Sequence, residues 1–152
     1  MKGTISPCVV ANTILQRGFD EHVEITPLKL QKLLYFVYRD YLKHTDQHLY
    51  AERFEAWPYG PVLRSVYDEF HPFHGNPITK FARNADGTVS VLGSGDTDDV
   101  CHSISRVWEK YKNYPGVVLS QLTHLEGTAW DYAWQNHEQF LDDAKIKDEE
   151  IL

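Results

Sequence analysis

The chain has 152 residues, of which 42% are hydrophobic and 13% aromatic, and this composition suits a single domain with one core. Its net charge of −7 disfavours nucleic acid as a partner, because a nucleic-acid binder needs a basic footprint. No apolar run approaches the ~20 residues that cross a bilayer, so no membrane association is expected. The two cysteines form no CxxC pair, and we expect a cytoplasmic protein with reduced thiols.

The first two predicted helices each begin at a proline. Ser6-Pro7 begins a helix over residues 7–17, which Gly18 ends. Thr26-Pro27 begins the second helix, LKLQKLLYFVYRDYLKHT, in which apolar residues recur at i, i+3, i+4 and i+7. This pattern predicts a long central core helix. Its apolar face consists of Leu30, Leu33, Leu34, Val37, Tyr38, Tyr41 and Leu42.

The same helix carries a second stripe, roughly opposite its apolar face. This basic ridge consists of Lys29, Lys32, Phe36, Arg39 and Lys43. Three interpretations stay open: a solvated helix surface, a surface that attracts an acidic partner, or a surface covered by the chain's own acidic tail, residues 138–152. A nucleic-acid site ranks behind these, because the surrounding negative charge opposes the approach of phosphates.

The middle of the chain predicts a stiff corner in the stretch EAWPYGPV. Residues 53–57 are expected to be extended, and Pro61 is expected to open a helix that ends in HPFHGNP. Two prolines fix φ there, and Gly60 permits geometry that no side chain would. Trp57 and Tyr59 are either parts of a structural corner or rigid binding anchors, with Tyr59 pointing outward.

The remaining segments predict a hairpin and further helices. ITKFAR and TVSVL, joined by NADG, predict a β-hairpin, and residues 98–112 predict a helix. Ser120 is expected to cap the short turn LSQLTH, and Thr128 to cap TAWDYAWQN. The predicted fold class is α+β and mainly α-helical: a compact bundle of about five to seven helices around a long central helix, with one small antiparallel hairpin.

No motif completes a catalytic, metal or cofactor site, although the spacings of His44 and His48 and of His71 and His74 are ones that a metal could use. His71 and His74 lie in a proline-broken loop without the further ligands that a metal needs. Ser120 and His124 could share a helix face, but the sequence has no nucleophile elbow of the GxSxG type. Neither GxGxxG nor GxxxxGK[ST] occurs, so nucleotide binding has no support.

Three segments resemble, in order and spacing, the signature blocks of the SocA-like antitoxin family, the Panacea domain, often described as a phage-associated protein. They are ITPLKLQKLLYF (25–36), FEAWPYGPVLRSVYDEF (54–70) and LSQLTHLEGTAW (119–130). Pro58 departs from the pattern, since relatives more often carry a polar residue there. The matching positions are Thr26, Pro27, Leu28, Lys29, Leu30, Gln31, Lys32, Leu33, Tyr35, Trp57, Tyr59, Gly60, Pro61, Tyr67, Ser120, Thr123, His124 and Trp130.

The resemblance implies a mainly helical domain without enzymatic activity, acting as the antitoxin of a bacterial two-gene module that is often carried by a prophage. It implies a cognate toxin as partner, neutralised by direct contact or handed to a protease. We expect the matching positions to maintain the fold, and the basic ridge with Trp57 and Tyr59 to bind the partner. A homodimer is a further expected assembly. The alternative function is a phage or prophage regulator that acts on host machinery without a cognate toxin.

Overall fold

The computed structural model of the chain describes residues 3–93 and 98–149. These residues form a mainly helical α+β fold with one two-stranded antiparallel sheet, which confirms the predicted fold class. A 3₁₀ turn, His71–Phe73, follows α3. The helices and strands are α1 (Pro7–Glu21), α2 (Pro27–Thr45), β1 (Glu55–Trp57), β2 (Gly60–Val62), α3 (Arg64–Phe70), α4 (Asp98–Tyr111), α5 (Gly116–Thr123), α6 (Ala129–Gln135) and α7 (Asp143–Asp148).

Helix α2 is the centre of the molecule, as the sequence predicted. Thr26 caps it by accepting a hydrogen bond from the Lys29 backbone N–H at 3.3 Å, and Pro27 occupies its first turn. Helices α1, α3, α4, α5 and α7 and strand β2 all contact it. Every residue from Lys29 to Arg39 is therefore buried, whether apolar or charged.

Helix α1 is longer than its sequence signals indicated, since it continues through Gly18 to Glu21. Gly18 does not end the helix. It lies within the helix, at a point where Ile25 packs closely against it. A Cβ there would lie 2.7 Å from the Ile25 Cδ1 atom. The helix ends at His22, which takes the left-handed conformation with φ of 59°.

The corner over residues 55–62 is a β-hairpin, whereas the sequence predicted an extended segment that leads directly into a helix. Pro61 lies in the second strand, and the helix begins only at Arg64. Pro61 therefore does not open the helix, although the sequence predicted that it would. Proline fits the start of a helix and an edge strand equally well.

The hairpin predicted over ITKFAR and TVSVL is wrong, because the structure forms no strands there. The turn itself exists, with the Gly87 N–H donating to the Asn84 carbonyl at 2.9 Å. The Asn12 side chain from α1 takes the backbone groups that a strand would use. It accepts from the Ala82 N–H at 2.8 Å and donates to the carbonyls of Ala82 and Ser90 at 2.9 and 3.1 Å.

Helix α6 agrees with the sequence, whereas Ser120 does not act as a cap and α7 lies in a segment that the sequence indicated only as an acidic tail. Thr128 caps α6 as predicted, accepting from the Asp131 N–H at 3.1 Å. Ser120 caps nothing, because it lies inside α5 and Pro115 occupies the N-cap position. None of the helices in the described ranges is long and apolar enough to cross a membrane.

Candidate partner-binding site

The hairpin β1–β2 is the feature on which the three quoted sequence blocks converge. Trp57 pairs with Gly60 across a two-residue loop formed by Pro58 and Tyr59. Gly60 has φ of +115°, a backbone conformation that a side chain rarely allows. This short loop projects Tyr59 from the molecule, with 69% of its surface exposed.

The side chains of the third block hold the first half of the loop by its carbonyls. Trp130 Nε1 donates to the Trp57 carbonyl at 2.7 Å. His124 Nε2 donates to the Pro58 carbonyl at 2.8 Å. The rings of His124 and Trp130 pack edge to face with centroids 4.1 Å apart, so each ring also positions the other.

Two further carbonyls of the hairpin are held in the same way, by side chains from α5 and α2. Ser120 Oγ, on α5, donates to the Tyr59 carbonyl at 2.6 Å. Lys32 Nζ, on α2, donates to the Pro61 carbonyl at 2.7 Å. Four carbonyls of the hairpin, two in the loop and one in each strand, are thus fixed by side chains from three helices or their ends. Such a loop has little conformational freedom to lose when a partner binds.

Gly60 is required because α2 and α5 approach the loop closely at this point. A Cβ at this position would lie 2.6 Å from Thr123 Oγ1 and 3.0 Å from Lys32 Nζ. On the other side of the hairpin, the Gln31 amide makes two hydrogen bonds with the Leu63 backbone, at 2.9 and 3.1 Å. Gln31 and Lys32 therefore hold the hairpin against α2, and Thr123 packs closely against Gly60.

Lys32 is a cation without a carboxylate partner in the described part of the chain. Its side chain is completely buried, with 0% of its surface exposed. Burial lowers the pKa of the Lys32 ammonium to about 7, because the charged form loses its hydration. This residue is therefore poised between its charged and neutral forms near neutral pH.

A cavity of about 230 Å³ lies between the hairpin, the start of α2 and helix α3. Its wall is mainly apolar and aromatic, and the described residues contribute no carboxylate to it. Trp57 stacks edge to face on Tyr67, with ring centroids 4.8 Å apart, and Tyr59 forms part of the rim. The residues that line the cavity are Pro27, Leu28, Gln31, Lys32, Trp57, Tyr59, Val62, Val66, Tyr67, Phe70, His71 and His74.

Apolar surface is exposed around this cavity. Tyr59 and Val117 are 69% and 63% exposed, and Tyr67 is 38% exposed. Val117 follows Gly116, which packs against Leu28 and Lys29 at the start of α2, and Leu28 lines the cavity. We call these residues, together with Trp57 and the half-buried Leu28, the hairpin face.

The basic ridge is not an exposed surface, contrary to two of its three interpretations. Lys29, Lys32, Phe36 and Arg39 are buried because α2 is enclosed by other elements on every side. Lys43 is half-buried. Partner binding by these five residues stays a prediction, but four of them are not available on the surface described.

The third interpretation, that the acidic tail covers the ridge, holds at one end. Glu149 forms a buried ion pair with Arg39 at 2.9 Å, and its backbone carbonyl accepts from Lys43 Nζ. The Glu149 carboxylate also accepts from Tyr35 Oη at 2.6 Å and from the Ala129 N–H at 2.7 Å. Sequence reasoning missed Glu149, because nothing distinguishes it from the neighbouring acidic residues of the tail.

Ser120 and His124 do not form a catalytic pair. Each bonds a different carbonyl of the hairpin loop, and the Ser120 side chain is buried. Within residues 3–93 and 98–149, no group of three or more His, Cys, Asp or Glu side chains is placed to hold a metal ion. His71 instead stacks on Tyr67, with ring centroids 5.3 Å apart.

Comparison with known proteins agrees with this convergence of motifs. One curated relative is "Antitoxin SocA" of Caulobacter vibrioides (strain NA1000 / CB15N), which is 30% identical over 125 residues. The aligned region covers 80% of this chain and 66% of that relative's length. No solved structure matches the chain. Residues 30–131 match the family described as "Antitoxin SocA-like, Panacea domain", and the chain belongs to this family.

Proposed function

We propose that the protein is an antitoxin without enzymatic activity, which neutralises a cognate toxin by direct contact through the hairpin face. Membership of the SocA-like family supports the antitoxin role. The structural observation that supports this surface is the rigidity of the hairpin. Its carbonyls are held by Lys32, Ser120, His124 and Trp130. These side chains all come from the blocks that carry the family resemblance.

The rigidity of the hairpin face favours its use as a binding surface. Association loses free energy when loops and side chains must be ordered, and a loop that is already fixed avoids most of that loss. Tyr59 adds a large ring that is exposed in the free protein and has few rotatable bonds. Exposed aromatic residues of this kind commonly dominate the energy of protein interfaces.

Co-expression with the product of the neighbouring gene tests the function. The proposal expects that the wild-type chain restores growth to cells that are poisoned by that product. It also expects that the two purified proteins form a complex without any third component. If the complex forms but the toxin is inhibited only after a protease is added, the antitoxin acts by delivering the toxin for degradation and not by blocking it.

Substitutions on the hairpin face test the surface. Tyr59→Ala is expected to weaken toxin binding by roughly 10- to 100-fold, because it removes the central exposed ring while leaving the loop carbonyl that Ser120 binds. Val117→Asp should also weaken binding, because it places a charge within the apolar face. Val89→Asp is the matched control, since Val89 is 38% exposed but lies outside the hairpin face.

Three outcomes of these experiments contradict the proposal in different ways. If the Val117 and Val89 variants bind the toxin equally well, the hairpin face is not the binding surface, although the antitoxin role would stand. Growth rescue that requires a catalytic turnover of the toxin would contradict the non-enzymatic mechanism. Failure to bind or rescue any neighbouring gene product would favour the alternative, a regulator that acts on host machinery.

A further inference from the structure

The cavity beside the hairpin has the size of a receptor for one side chain. Its volume of about 230 Å³ falls below the ~300–1,000 Å³ that is typical of pockets for small molecules and cofactors. Leu28, Val62, Val66 and Phe70 give its wall an apolar character. An apolar cavity of this size favours one ring or one branched chain.

The charge of the cavity wall distinguishes between possible occupants. Its ionisable lining residues are Lys32, Tyr59, Tyr67, His71 and His74, and none of these is a carboxylic acid. Among residues 3–93 and 98–149, no acidic side chain lines the cavity, although the whole chain has a net charge of −7. An occupant with a cationic group would therefore find no counter-charge, whereas an anionic group would.

Lys32 supplies the main electrostatic argument. Its amine has three hydrogens, but Pro61 is the acceptor that it contacts in the described part of the chain. No carboxylate lies within ion-pair distance of Lys32 in those residues. Because the surroundings have a low dielectric constant, a negative charge in the cavity would interact with this amine across several ångströms.

We infer that the cavity binds an apolar group that is joined to a carboxylate, and that the toxin supplies this group as one side chain with its own or an adjacent carboxylate. The apolar part occupies the space between Leu28, Val66 and Tyr67, and the carboxylate lies towards Lys32. This inference rests on the proposed function, because it takes the toxin as the source of the group.

Three small molecules of equal shape and different charge test the chemistry without any toxin. They are 3-phenylpropionate, 3-phenylpropan-1-ol and 3-phenylpropylamine. The structure predicts that the anion binds at least about fivefold more tightly than the alcohol, and that the amine binds most weakly. Chemical-shift changes of the Trp57 and Val66 resonances locate binding in the cavity. Equal affinities, or a preference for the amine, would overturn the inference.

Proton uptake provides a second measurement, which involves Lys32 directly. Burial lowers the pKa of Lys32 to about 7, so the amine is mostly neutral at pH 8, and a bound anion should bring about one proton with it. Calorimetry in two buffers of different ionisation enthalpy measures this uptake. The other titratable groups nearby are Tyr59, Tyr67, His71 and His74 in the cavity wall, and His124 beyond the loop.

Lys32→Met is expected to abolish both the proton uptake and the preference for the anion. The variant should still bind the phenyl ring, because methionine keeps the length and the apolar stem of lysine. An uptake that persists in this variant would come from a histidine and would contradict the assignment to Lys32. A folded Lys32→Met protein with an unchanged preference would contradict it equally.

Leu28→Trp keeps the inference testable if Lys32→Met does not fold. Leu28 is half-buried at the cavity wall, so an indole there should fill the cavity without disturbing the core. We expect this variant to lose 3-phenylpropionate binding and to bind toxin at least about tenfold more weakly. Loss of the small molecule with unchanged toxin binding would refute the cavity as the toxin's receptor and leave the antitoxin proposal intact.

Discussion

Gly60 shows how one residue connects the loop to the helices beneath it. Its φ of +115° and its contacts with Thr123 and Lys32 impose two separate restrictions on a side chain. The first restriction is strain of the backbone, and the second is steric overlap with neighbours. A second glycine, Gly87, has φ of +86° but no atom within 4 Å of where its Cβ would be. The two positions together separate the two effects.

Gly60→Ala is expected to destabilise the protein by about 2–4 kcal/mol, because strain and overlap add. Gly87→Ala, where the space is open, should cost only about 1 kcal/mol. Urea denaturation followed by circular dichroism measures both. Equal destabilisation by the two substitutions would show that the close packing of Gly60 contributes nothing.

Lys32 should make the stability of the protein rise with pH. Its folded-state pKa of about 7 lies below the ordinary value of 10.5, so between these values the unfolded chain binds more protons than the folded one. The free energy of unfolding should therefore increase by about 2 kcal/mol from pH 7 to pH 9. Below pH 7 both states are protonated, and this contribution becomes constant.

Lys32→Met provides the comparison, since it should remove that increase. Burial raises the pKa of Cys8 from 9.0 to about 11, but this thiol is present in both proteins and its contribution cancels in the difference between them. The difference between wild type and variant in denaturant midpoint is read at each pH. A difference that does not change with pH would mean that the pKa of the Lys32 amine is not lowered in the folded state.

At the scale of elements, the segment that ends at Glu149 is attached to the bundle by a polar contact at its last described residue. Ile146 is buried, and the Glu149 carboxylate meets Tyr35, Arg39 and the N–H of Ala129. Arg39 Nε has no hydrogen-bond partner in the described structure, so Glu149 is the main compensation for that buried charge. The contact with Arg39 therefore depends on this one carboxylate, whereas Asp143 and Lys147 attach α7 separately, to Tyr38 and Asp46.

Glu149→Gln is expected to destabilise the protein by about 3 kcal/mol, because it leaves the Arg39 charge buried without a counter-charge. Asp148→Asn is the control, since Asp148 is exposed and one residue away. Thermal unfolding at pH 7 compares the two. A Glu149 variant as stable as the Asp148 variant would show that the ion pair contributes nothing net.

The elements themselves were predictable where hydrophobic periodicity governs them. Helices α2 and α4 appear close to their predicted ranges, because apolar residues recur at helical spacing in both. The segments around Ala82 and Ser90 alternate like strands, but the Asn12 side chain satisfies their backbone groups instead. A contact between residues 70 positions apart leaves no local signal in the sequence.

At the scale of the whole molecule, the packing of six elements around α2 predicts a gradient of local stability. Amides in the middle of α2 should exchange with solvent only when the whole protein unfolds. Amides between Asn84 and Gly93, which lie outside helices and strands, should exchange by local opening. Hydrogen exchange followed by mass spectrometry measures both classes. Equal protection of the two regions would contradict the gradient.

Ala82 is expected to be an exception within its loop, because its N–H is bonded to the buried Asn12 side chain. Asn12→Ala should remove this protection while the α2 amides keep theirs relative to global stability. Thr79 lies in the same region and serves as an internal reference. Protection of Ala82 that survives the substitution would show that burial alone shields it.

The candidate site was only partly predictable from the sequence. The three blocks were recognisable, and the outward position of Tyr59 followed from its place in a tight turn. The basic ridge was misplaced, because helical spacing alone does not reveal that α2 is enclosed on all sides. Lys32 and Arg39 satisfy buried acceptors from distant residues, and such partners become visible only after the chain has folded.

The way in which His124 contacts the loop has a consequence for how the sequence can diverge. His124 bonds the main-chain carbonyl at position 58, so the interaction does not depend on the side chain there. Pro58 is exposed, and a polar residue in its place would still offer the same oxygen. Homologues can therefore alter the chemistry at the tip of this turn over evolutionary time without losing the contacts that hold it.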